Sequence, residues 1–298
     1  MDTHKKLMLN SILEREQRRI DINRIIVKNA NNEEELLLEE TDILRETAKH
    51  FKKITDNMVE NDEELENYWA EKYMPREDIN DEIYEDLLNP INTEEWITTI
   101  KNLPKNKAAG PSKITYDVIQ RCSGKFLDIL RKFYNILLKI GLLPKIWSKG
   151  VIYPIPKPGE WNLDLNKTRP ITLLECPRKL LMKILTSRLS NILSIHKSVL
   201  GDNNHAALPG KSTIEPIHIL NNIMEEAREK SKEVWILLQD MSKAYDLVNR
   251  ENLWKAMRRI KIPDQFIKII ENSLKFRTNQ VITDVGLTNE YDMNNGIN

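Results

Sequence analysis

Residues 233–250 read EVWILLQDMSKAYDLVNR, and this stretch decides the predicted fold. Its apolar run at 234–238 is too short for an independent helix, so we interpret it as a strand buried on both faces of a sheet. The run leads to Asp240, and a carboxylate at the tip of a buried strand costs desolvation energy unless a cation or a metal ion lies beside it. An ordinary core strand followed by a loop with two surface aspartates is the simpler alternative.

The residues after Asp240 are predicted to form a turn over 241–246. Ala244 has almost no side chain that would keep a ligand away from the backbone, and Tyr245 offers a flat ring beside the carboxylate. Asn249 can then cap a new helix over 251–260. The stretch therefore predicts a strand, a turn and a helix, with a carboxylate at the first junction.

Composition places the chain among globular proteins. Its 298 residues are 40% hydrophobic, which is enough for a core in one large domain or two. The longest apolar runs have five or six residues, far fewer than the roughly 20 needed to span a bilayer, and the first ten residues lack the apolar core of a signal peptide. We expect an intracellular protein outside the membrane, with nucleus or cytoplasm left open. Cys122 and Cys176 are predicted to be buried thiols, without a disulfide or zinc site.

Charge is distributed unevenly along the chain, although the formal net charge is zero. Residues 1–100 carry 13 Lys or Arg against 26 Asp or Glu, whereas residues 101–200 carry 19 against five. So large a basic excess in a hundred residues is typical of a surface that meets phosphate groups. Pairing of this basic third with the acidic first third is the alternative.

The first hundred residues are predicted to be mostly helical, because apolar residues recur at helical spacing among dense charge. The first of these apolar residues are Leu7, Ile12 and Leu13. Residues 31–40 are rich in Glu and are interpreted as either a solvated helix face or a flexible connector. A helix start is predicted at Thr93. No pattern in this third indicates a catalytic or binding site.

A β-hairpin is predicted from residues 149–174, with strands at 151–155 and 169–174. Lys157 and Arg169 lie near its two sides. A lysine and an arginine that face the same space suit a triphosphate, since one is a point charge and the other a bidentate fork. A basic edge hairpin without a ligand is the alternative.

The remaining patterns predict helices and one more hairpin. Ser212 and Glu215 form a capping-box pattern at the start of one helix. Residues 210–212 read GKS, but His205 stands where a phosphate-binding P-loop needs its first glycine, which excludes that loop. The predicted helices are 126–140, closed by Gly141, then 177–195, 213–230 and 263–276, and the hairpin strands are 280–285 and 290–293.

Four blocks in order resemble the reverse transcriptases of non-LTR retrotransposons. Residues 240–246, DMSKAYD, resemble the first catalytic carboxylate motif of that family, and residues 155–158 and 169–173 resemble its fingers hairpin. Residues 107–111, KAAGP, resemble the segment upstream of the fingers, with Ser112 and Lys113 in place of the usual Asp and Gly. The fourth block, GKST at 210–213, lacks the Phe and the first Arg of the family motif.

The resemblance implies a role for each matching residue. Asp240 would bind two Mg²⁺ ions, with the backbone carbonyl of Met241 as a further ligand. Lys157 and Arg169 would hold the triphosphate of an incoming dNTP, Ala244 would donate its backbone N–H to it, and Tyr245 would exclude a ribose 2′-OH. An RNA template and a DNA primer would be the partners. The implied nucleic-acid contacts are Lys107, Gly110, Lys211 and Gly296.

The resemblance also implies an α+β fold, with the fingers and part of the palm of a right-hand polymerase. We expect an acidic helical region at 1–100 and the polymerase part at 101–298. The strand at 234–239 should be central in a small, mostly antiparallel sheet, with the helices at 177–195 and 213–230 packed on it.

One departure from the family bears on activity. Two-metal catalysis needs a second carboxylate strand, an aromatic-x-Asp-Asp hairpin, and no two Asp residues are adjacent in these 298. The chain is therefore interpreted as truncated and inactive by itself. A non-catalytic nucleic-acid-binding fragment that uses the basic third, and a helical interaction protein that uses the acidic first third, are the alternatives.

Overall fold

The computed structural model describes residues 20–29, 31–56, 63–201, 203–206 and 208–297, so the predictions on Leu7, Ile12 and Leu13 lie outside it. The strands are β1 (Ile25–Lys28), β2 (Glu34–Leu37), β3 (Lys149–Pro156), β4 (Thr168–Leu174), β5 (Thr278–Thr283), β6 (Gly286–Leu287) and β7 (Tyr291–Asp292). The helices are α1 (Glu40–Asp56), α2 (Glu63–Lys72), α3 (Thr93–Lys101), α4 (Tyr116–Arg121), α5 (Gly124–Ile140), α6 (Cys176–Ile195), α7 (Ile214–Glu229), α8 (Arg250–Arg259) and α9 (Asp264–Leu274).

The main sheet has the order β4-β3-β5-β6, and β7 also pairs with β5. Strands β3 and β4 are antiparallel, with Ile155 opposite Arg169. The β3 and β5 strands are parallel, with Ile152 opposite Val281. The short β6 and β7 strands are both antiparallel to β5. This arrangement confirms the α+β prediction of a small, mostly antiparallel sheet packed with helices.

Helix α6 is the centre of the larger hydrophobic core. Its buried residues Leu180, Leu181, Ile184 and Leu185 pack in one cluster with residues of α3, α5, α8 and α9. The hydroxyl of Tyr134 on α5 donates a 2.8 Å hydrogen bond to a backbone carbonyl at the start of α6. The helix predicted at 177–195 is confirmed, but it packs against other helices rather than on the predicted strand at 234–239. Gly141 ends α5 in a left-handed conformation with φ 71°, as its position after the apolar stripe predicted.

The predicted central strand at 234–239 is wrong. Residues 232–241 run without a ladder partner in the described structure. Trp235, Leu237 and Leu238 are 92%, 90% and 85% exposed. Helix α7, the other predicted partner of the sheet, buries none of its residues. We call residues 214–241 the exposed arm.

The physical reason is that a strand buried on both faces needs a neighbouring strand to pair its backbone and a layer on each side to cover its side chains. The described part of the chain places neither beside residues 234–238, so an apolar pattern alone does not make a core strand. The sheet centre is instead formed by β3 and β5, whose Ile152 and Val281 are 4% and 0% exposed.

The first third contains a strand pair in addition to helices α1, α2 and α3. Strands β1 and β2 form an antiparallel hairpin, with Lys28 opposite Glu34. The Glu-rich residues 31–40 therefore contain a strand rather than a helix face or a connector. Ile25 of β1 is fully buried, and the hairpin and α1 pack against β3 and β5 in a second hydrophobic cluster.

Three smaller predictions are also corrected. The capping box does not form: Ser212 Oγ accepts from the Ile214 N–H at 3.2 Å, while the Glu215 carboxylate lies 2.8 Å from His205 Nδ1. Cys122 is only half-buried, although Cys176 is buried as predicted. Helix α3 begins at Thr93 as predicted, but its cap is Asn92 rather than Thr93.

An ion pair joins the basic and acidic thirds of the chain. Arg188 on α6 donates to both carboxylate oxygens of Glu95 on α3, at 2.7 and 2.6 Å. Most of the basic residues take no part in such pairs in the described structure. No helix in the described ranges is long and apolar enough to cross a membrane.

Candidate functional site

The hairpin of β3 and β4 places Lys157 and Arg169 on the same face. The ladder continues beyond the end of β3, because the Lys157 N–H donates to the carbonyl of Lys167 at 2.8 Å. Since Ile155 lies opposite Arg169 and alternate residues of a strand share a face, Lys157 and Arg169 are diagonal neighbours across the strand pair. Both side chains are exposed. The predicted pairing of a lysine and an arginine toward one space is supported by this register.

The Lys157 ammonium is held close to its own hairpin. It donates a 2.8 Å hydrogen bond to the carbonyl of Asn166. Asn166 is oriented in turn by Asp164, which accepts from its backbone N–H at 2.9 Å. This positions a cation at the hairpin end while leaving two of its three N–H donors for other groups.

Residues 241–246 form the predicted turn. The N–H groups of Asp246 and Leu247 both donate to the carbonyl of Lys243, at 3.0 and 3.1 Å. Lys243 has a left-handed conformation, with φ 51°. Tyr245 is 66% exposed and Ala244 is exposed beside it. The turn therefore presents a small residue and a free aromatic ring together, as the sequence predicted.

Gly296 packs against this turn. A Cβ atom at Gly296, whose φ is 82°, would lie 2.7 Å from the carbonyl oxygen of Asp246. The Gly296 N–H donates to Val248 and the Ile297 N–H donates to Tyr245, both at 3.0 Å. Gly296 is thus buried, and its segment holds the turn in place through these backbone hydrogen bonds. Its predicted contact with nucleic acid stays a prediction.

Charges from the hairpin and from the turn both act on one imidazole, that of His50 on α1. The pKa of His50 is lowered to about 4, mainly by burial and then by the charge of Lys243. Lys157 and Lys53 lower this pKa further, whereas Asp164 raises it. A cation from the turn and one from the hairpin therefore both disfavour the charged form of His50. His50 is a lone histidine among lysines, and no pattern around it indicates a site.

Asp246 is the aspartate of the turn that faces the sheet. It lines a small gap with Ile152, Thr172, Asn279 and Tyr291. Tyr291 is buried, and burial together with the charge of Asp246 raises the pKa of its hydroxyl. Asp240, by contrast, is exposed. The desolvation argument for a metal at Asp240 consequently does not hold in this structure.

The other predicted contacts lie in separate places. Lys107 is exposed and Lys211 is half-buried. Gly110 is buried where β4 meets α6, and a Cβ atom there would lie 2.5 Å from the backbone nitrogen of Glu175. Ser112, which replaces the usual Asp, donates its N–H to the buried Glu175 carboxylate at 2.8 Å. Gly110 therefore has a packing role that is independent of any ligand.

A Mg²⁺ site would need several oxygen ligands close together. No group of three or more His, Cys, Asp or Glu side chains within the described ranges could hold a metal ion. Mg²⁺ needs a nearly octahedral shell of oxygen ligands. Residues Asp240 and Met241 on an exposed segment do not provide such a shell. The residues present do not fit the two-ion site that the resemblance implies.

Comparison with known proteins gives one family. Residues 155–289 match the family model described as "Reverse transcriptase (RNA-dependent DNA polymerase)". That range contains Lys157, Arg169 and residues 240–246, whereas Lys107 and Gly296 lie outside it.

Proteins of mobile elements are similar to this chain over about two thirds of its length. It is 26% identical over 190 residues to "Probable RNA-directed DNA polymerase from transposon BS" of Drosophila melanogaster, a match that covers 64% of this chain and 21% of the relative. It is 26% identical over 197 residues to "RNA-directed DNA polymerase from mobile element jockey" of the same species, covering 66% and 21%.

A third relative is "Retrovirus-related Pol polyprotein from type-1 retrotransposable element R2" of Popillia japonica. It is 28% identical over 192 residues, which cover 64% of this chain and 25% of the relative. The chain thus spans about a fifth to a quarter of the length of these curated relatives.

Proposed function

We propose, from the reverse transcriptase segment of the non-LTR retrotransposon type that the chain carries at residues 155–289, that this protein takes part in RNA-directed DNA synthesis. The observation that carries the proposal is the register of the β3–β4 hairpin, which places Lys157 and Arg169 on one face inside that segment. The turn that holds Ala244 and Tyr245 belongs to the same matched segment. These groups suit a deoxynucleoside triphosphate.

The proposed roles follow from the chemistry of each group. Lys157 and Arg169 bind phosphate oxygens, the lysine as a point charge and the arginine as a fork. The Ala244 N–H donates to the triphosphate, and its methyl side chain leaves room for that approach. The ring of Tyr245 occupies the space that a ribose 2′-OH would need.

Catalysis is proposed to depend on Asp240, with Met241 as a carbonyl ligand. Mg²⁺ would supply Lewis-acid stabilisation of the attacking and leaving oxygens. The residues present do not fit a site for two Mg²⁺ ions. We therefore propose that a second carboxylate strand has to pair with the exposed arm before a metal can bind.

An RNA template and a DNA primer are the proposed macromolecular partners, contacted by the basic third of the chain. The proposed nucleic-acid contacts are Lys107, Gly110, Lys211 and Gly296. We propose an intracellular location, in which these nucleic acids and dNTPs are available. Because the phosphate contacts release counterions, affinity for a primer-template should fall steeply between low and physiological salt.

Nucleotide binding provides the direct test. We expect the double variant Lys157→Gln, Arg169→Gln to lower the affinity for a fluorescent dATP analogue about tenfold or more, because charge-assisted hydrogen bonds are lost. Fluorescence anisotropy measures this, and Lys125→Gln, the same change at an exposed lysine of α5, should have little effect. An equal loss of nucleotide and duplex affinity would contradict the triphosphate role.

A second measurement tests the turn. Shrinking the ring in Tyr245→Ala should narrow the difference in affinity between dATP and ATP, since nothing would then occupy the space of the 2′-OH. The variant Tyr245→Phe keeps the ring and should keep the difference. If Tyr245→Ala leaves the ratio unchanged, the site is a general phosphate-binding surface, and nucleic-acid binding without synthesis becomes the better function.

A further inference from the structure

A cavity of about 240 Å³ lies at the other end of β3, between the loop after α5, the start of α6 and the end of α9. Its lining contains three cationic side chains, Lys145, Arg178 and Lys275, and no Asp or Glu. Trp147 and Phe276 form part of its apolar wall. We call it the arginine cavity. A pocket with this charge composition attracts an anion.

Arg178 is buried in this cavity with unsatisfied bonding capacity. It is 4% exposed, and one terminal nitrogen donates to the carbonyl of Trp147 at 3.0 Å. Its Nε has no hydrogen-bond partner among the described residues. Burial lowers the pKa of this guanidinium. A buried charged donor without an acceptor is costly, so an anion in the cavity would stabilise it.

A second buried arginine adds to the positive charge. Arg277 is 1% exposed, and in the described structure none of its three guanidinium nitrogens has a hydrogen-bond partner. Burial lowers the pKa of Arg277, and the charges of Arg178 and Arg250 lower it further. The positive charge of Arg178 therefore disfavours the charged form of Arg277. An anion beside Arg178 would also offset this effect.

Phe276 makes the cavity rim unlike a simple anion pocket. It is 73% exposed, its φ is 55°, and the Lys275 ammonium lies 5.3 Å from its ring centroid. An aromatic residue in the left-handed region is a strained outlier, and such strain is concentrated at functional sites and ligand clamps. An exposed ring beside cations is the arrangement on which single-stranded nucleic acids stack their bases.

We propose that the arginine cavity binds a phosphodiester group of a single nucleic-acid strand, with the adjoining base stacked on Phe276. Lys145 and Lys275 contact the phosphate at the rim, and Arg178 contacts it from inside. Strand β3 begins beside this cavity, and Lys157 directly follows its last residue, so its eight residues separate the two sites by about 25 Å. A strand held here leaves the nucleotide site free.

The proposal is independent of the polymerase function, because no lining residue belongs to the hairpin tip or to the turn. Binding of fluorescein-labelled hexauridylate is therefore measured by anisotropy in a Lys157→Glu, Arg169→Glu background, where the nucleotide site is disabled. We expect Phe276→Ala to weaken binding about tenfold, a typical effect of losing one stacked base. Phe276→Tyr should bind normally.

The lysines provide the second arm, since replacement of the buried Arg178 could prevent folding. The pair Lys145→Gln, Lys275→Gln should also weaken binding about tenfold, whereas Lys125→Gln should change it less than about twofold. Circular dichroism checks that each variant is folded. A lysine effect without a Phe276 effect would indicate a small-anion site, and it would overturn the proposal of a nucleic-acid strand.

Photo-crosslinking locates the base directly. A hexauridylate with one 5-iodouridine should, on irradiation, become attached to the peptide that contains Phe276, and the crosslink should disappear in Phe276→Ala. Mass spectrometry identifies the peptide. Crosslinks confined to other parts of the chain, or Phe276→Ala binding as tightly as Lys125→Gln, would overturn the proposal.

Discussion

Strand β3 and the exposed arm contain similar apolar runs with opposite outcomes. VIYPI at 151–155 lies in the main sheet between β4 and β5, and Ile152 is 4% exposed. VWILL at 234–238 is extended in sequence pattern too, but Leu237 is 90% exposed and has no ladder partner in the described structure. An apolar run therefore favours an extended strand, but neighbouring strands decide whether its side chains are buried in a core.

The largest expected difference between the two runs is in stability. Ile152→Asp places a carboxylate in the sheet core and should lower the free energy of unfolding by about 4 kcal/mol or more. Leu237→Asp, the matched change in the exposed arm, should alter it by no more than about 0.5 kcal/mol. Urea unfolding followed by circular dichroism measures both. A similar loss at both positions would mean that the arm is packed in solution.

Two glycines with the same backbone conformation provide a second contrast between the packed and the exposed regions. Gly296 has φ 82° and meets the carbonyl oxygen of Asp246, whereas Gly210, just before the arm, has φ 75° and open space around it. Gly296→Ala should therefore cost about 2–3 kcal/mol, from backbone strain and displacement of the turn, against about 1 kcal/mol for Gly210→Ala. Equal losses of unfolding free energy in the two variants, measured by urea unfolding, would show that the packing of Gly296 against the turn does not stabilise the protein.

Two histidines give a pH-dependent version of the same contrast. The pKa of His50 is about 4 in the folded protein, below its ordinary value of 6.5, so the unfolded chain takes up a proton first as the pH falls. The stability that neutral His50 contributes is present above about pH 6.5 and is lost as the pH falls toward 4. After allowance for partial exposure, this loss is about 2 kcal/mol.

His50→Leu should therefore flatten the pH dependence of the unfolding free energy between pH 7 and pH 4.5. The matched variant is His218→Leu in α7, where the histidine is exposed, and it should leave the dependence as in the parent protein. If the two variants have the same pH dependence as the parent protein, His50 is not buried among Lys243, Lys157 and Lys53.

How well the sequence predicted each element follows from where its information lies. The amphipathic stripe of α5 and its closing Gly141 are local signals, and the structure has both. The hairpin of β3 and β4 was predicted because its two strands are close in sequence. The β1 strand was missed, because its burial depends on packing against β3 and β5 rather than on its own charged neighbourhood.

The candidate site divides in the same way. The register that aligns Lys157 with Arg169 and the turn that presents Tyr245 follow from local sequence, so both were predicted. His50 was not, since only the tertiary fold brings α1 beside the turn. Residues 234–238 failed as a core strand because the pattern requires partners that the described residues do not supply. The buried Arg178 and Arg277 gave no signal, because burial of a charge is a long-range property.

We propose that the hairpin and the turn form one half of a polymerase site, which a second carboxylate strand must complete. Mg²⁺-dependent extension of a DNA primer on an RNA template tests it most directly. The 298-residue chain should show no extension, and fusion to the family's aromatic-x-Asp-Asp hairpin should create extension that Asp240→Ala abolishes. Robust synthesis by the 298-residue chain that depends on Asp240, or extension by the fusion that survives Asp240→Ala, would contradict the claim.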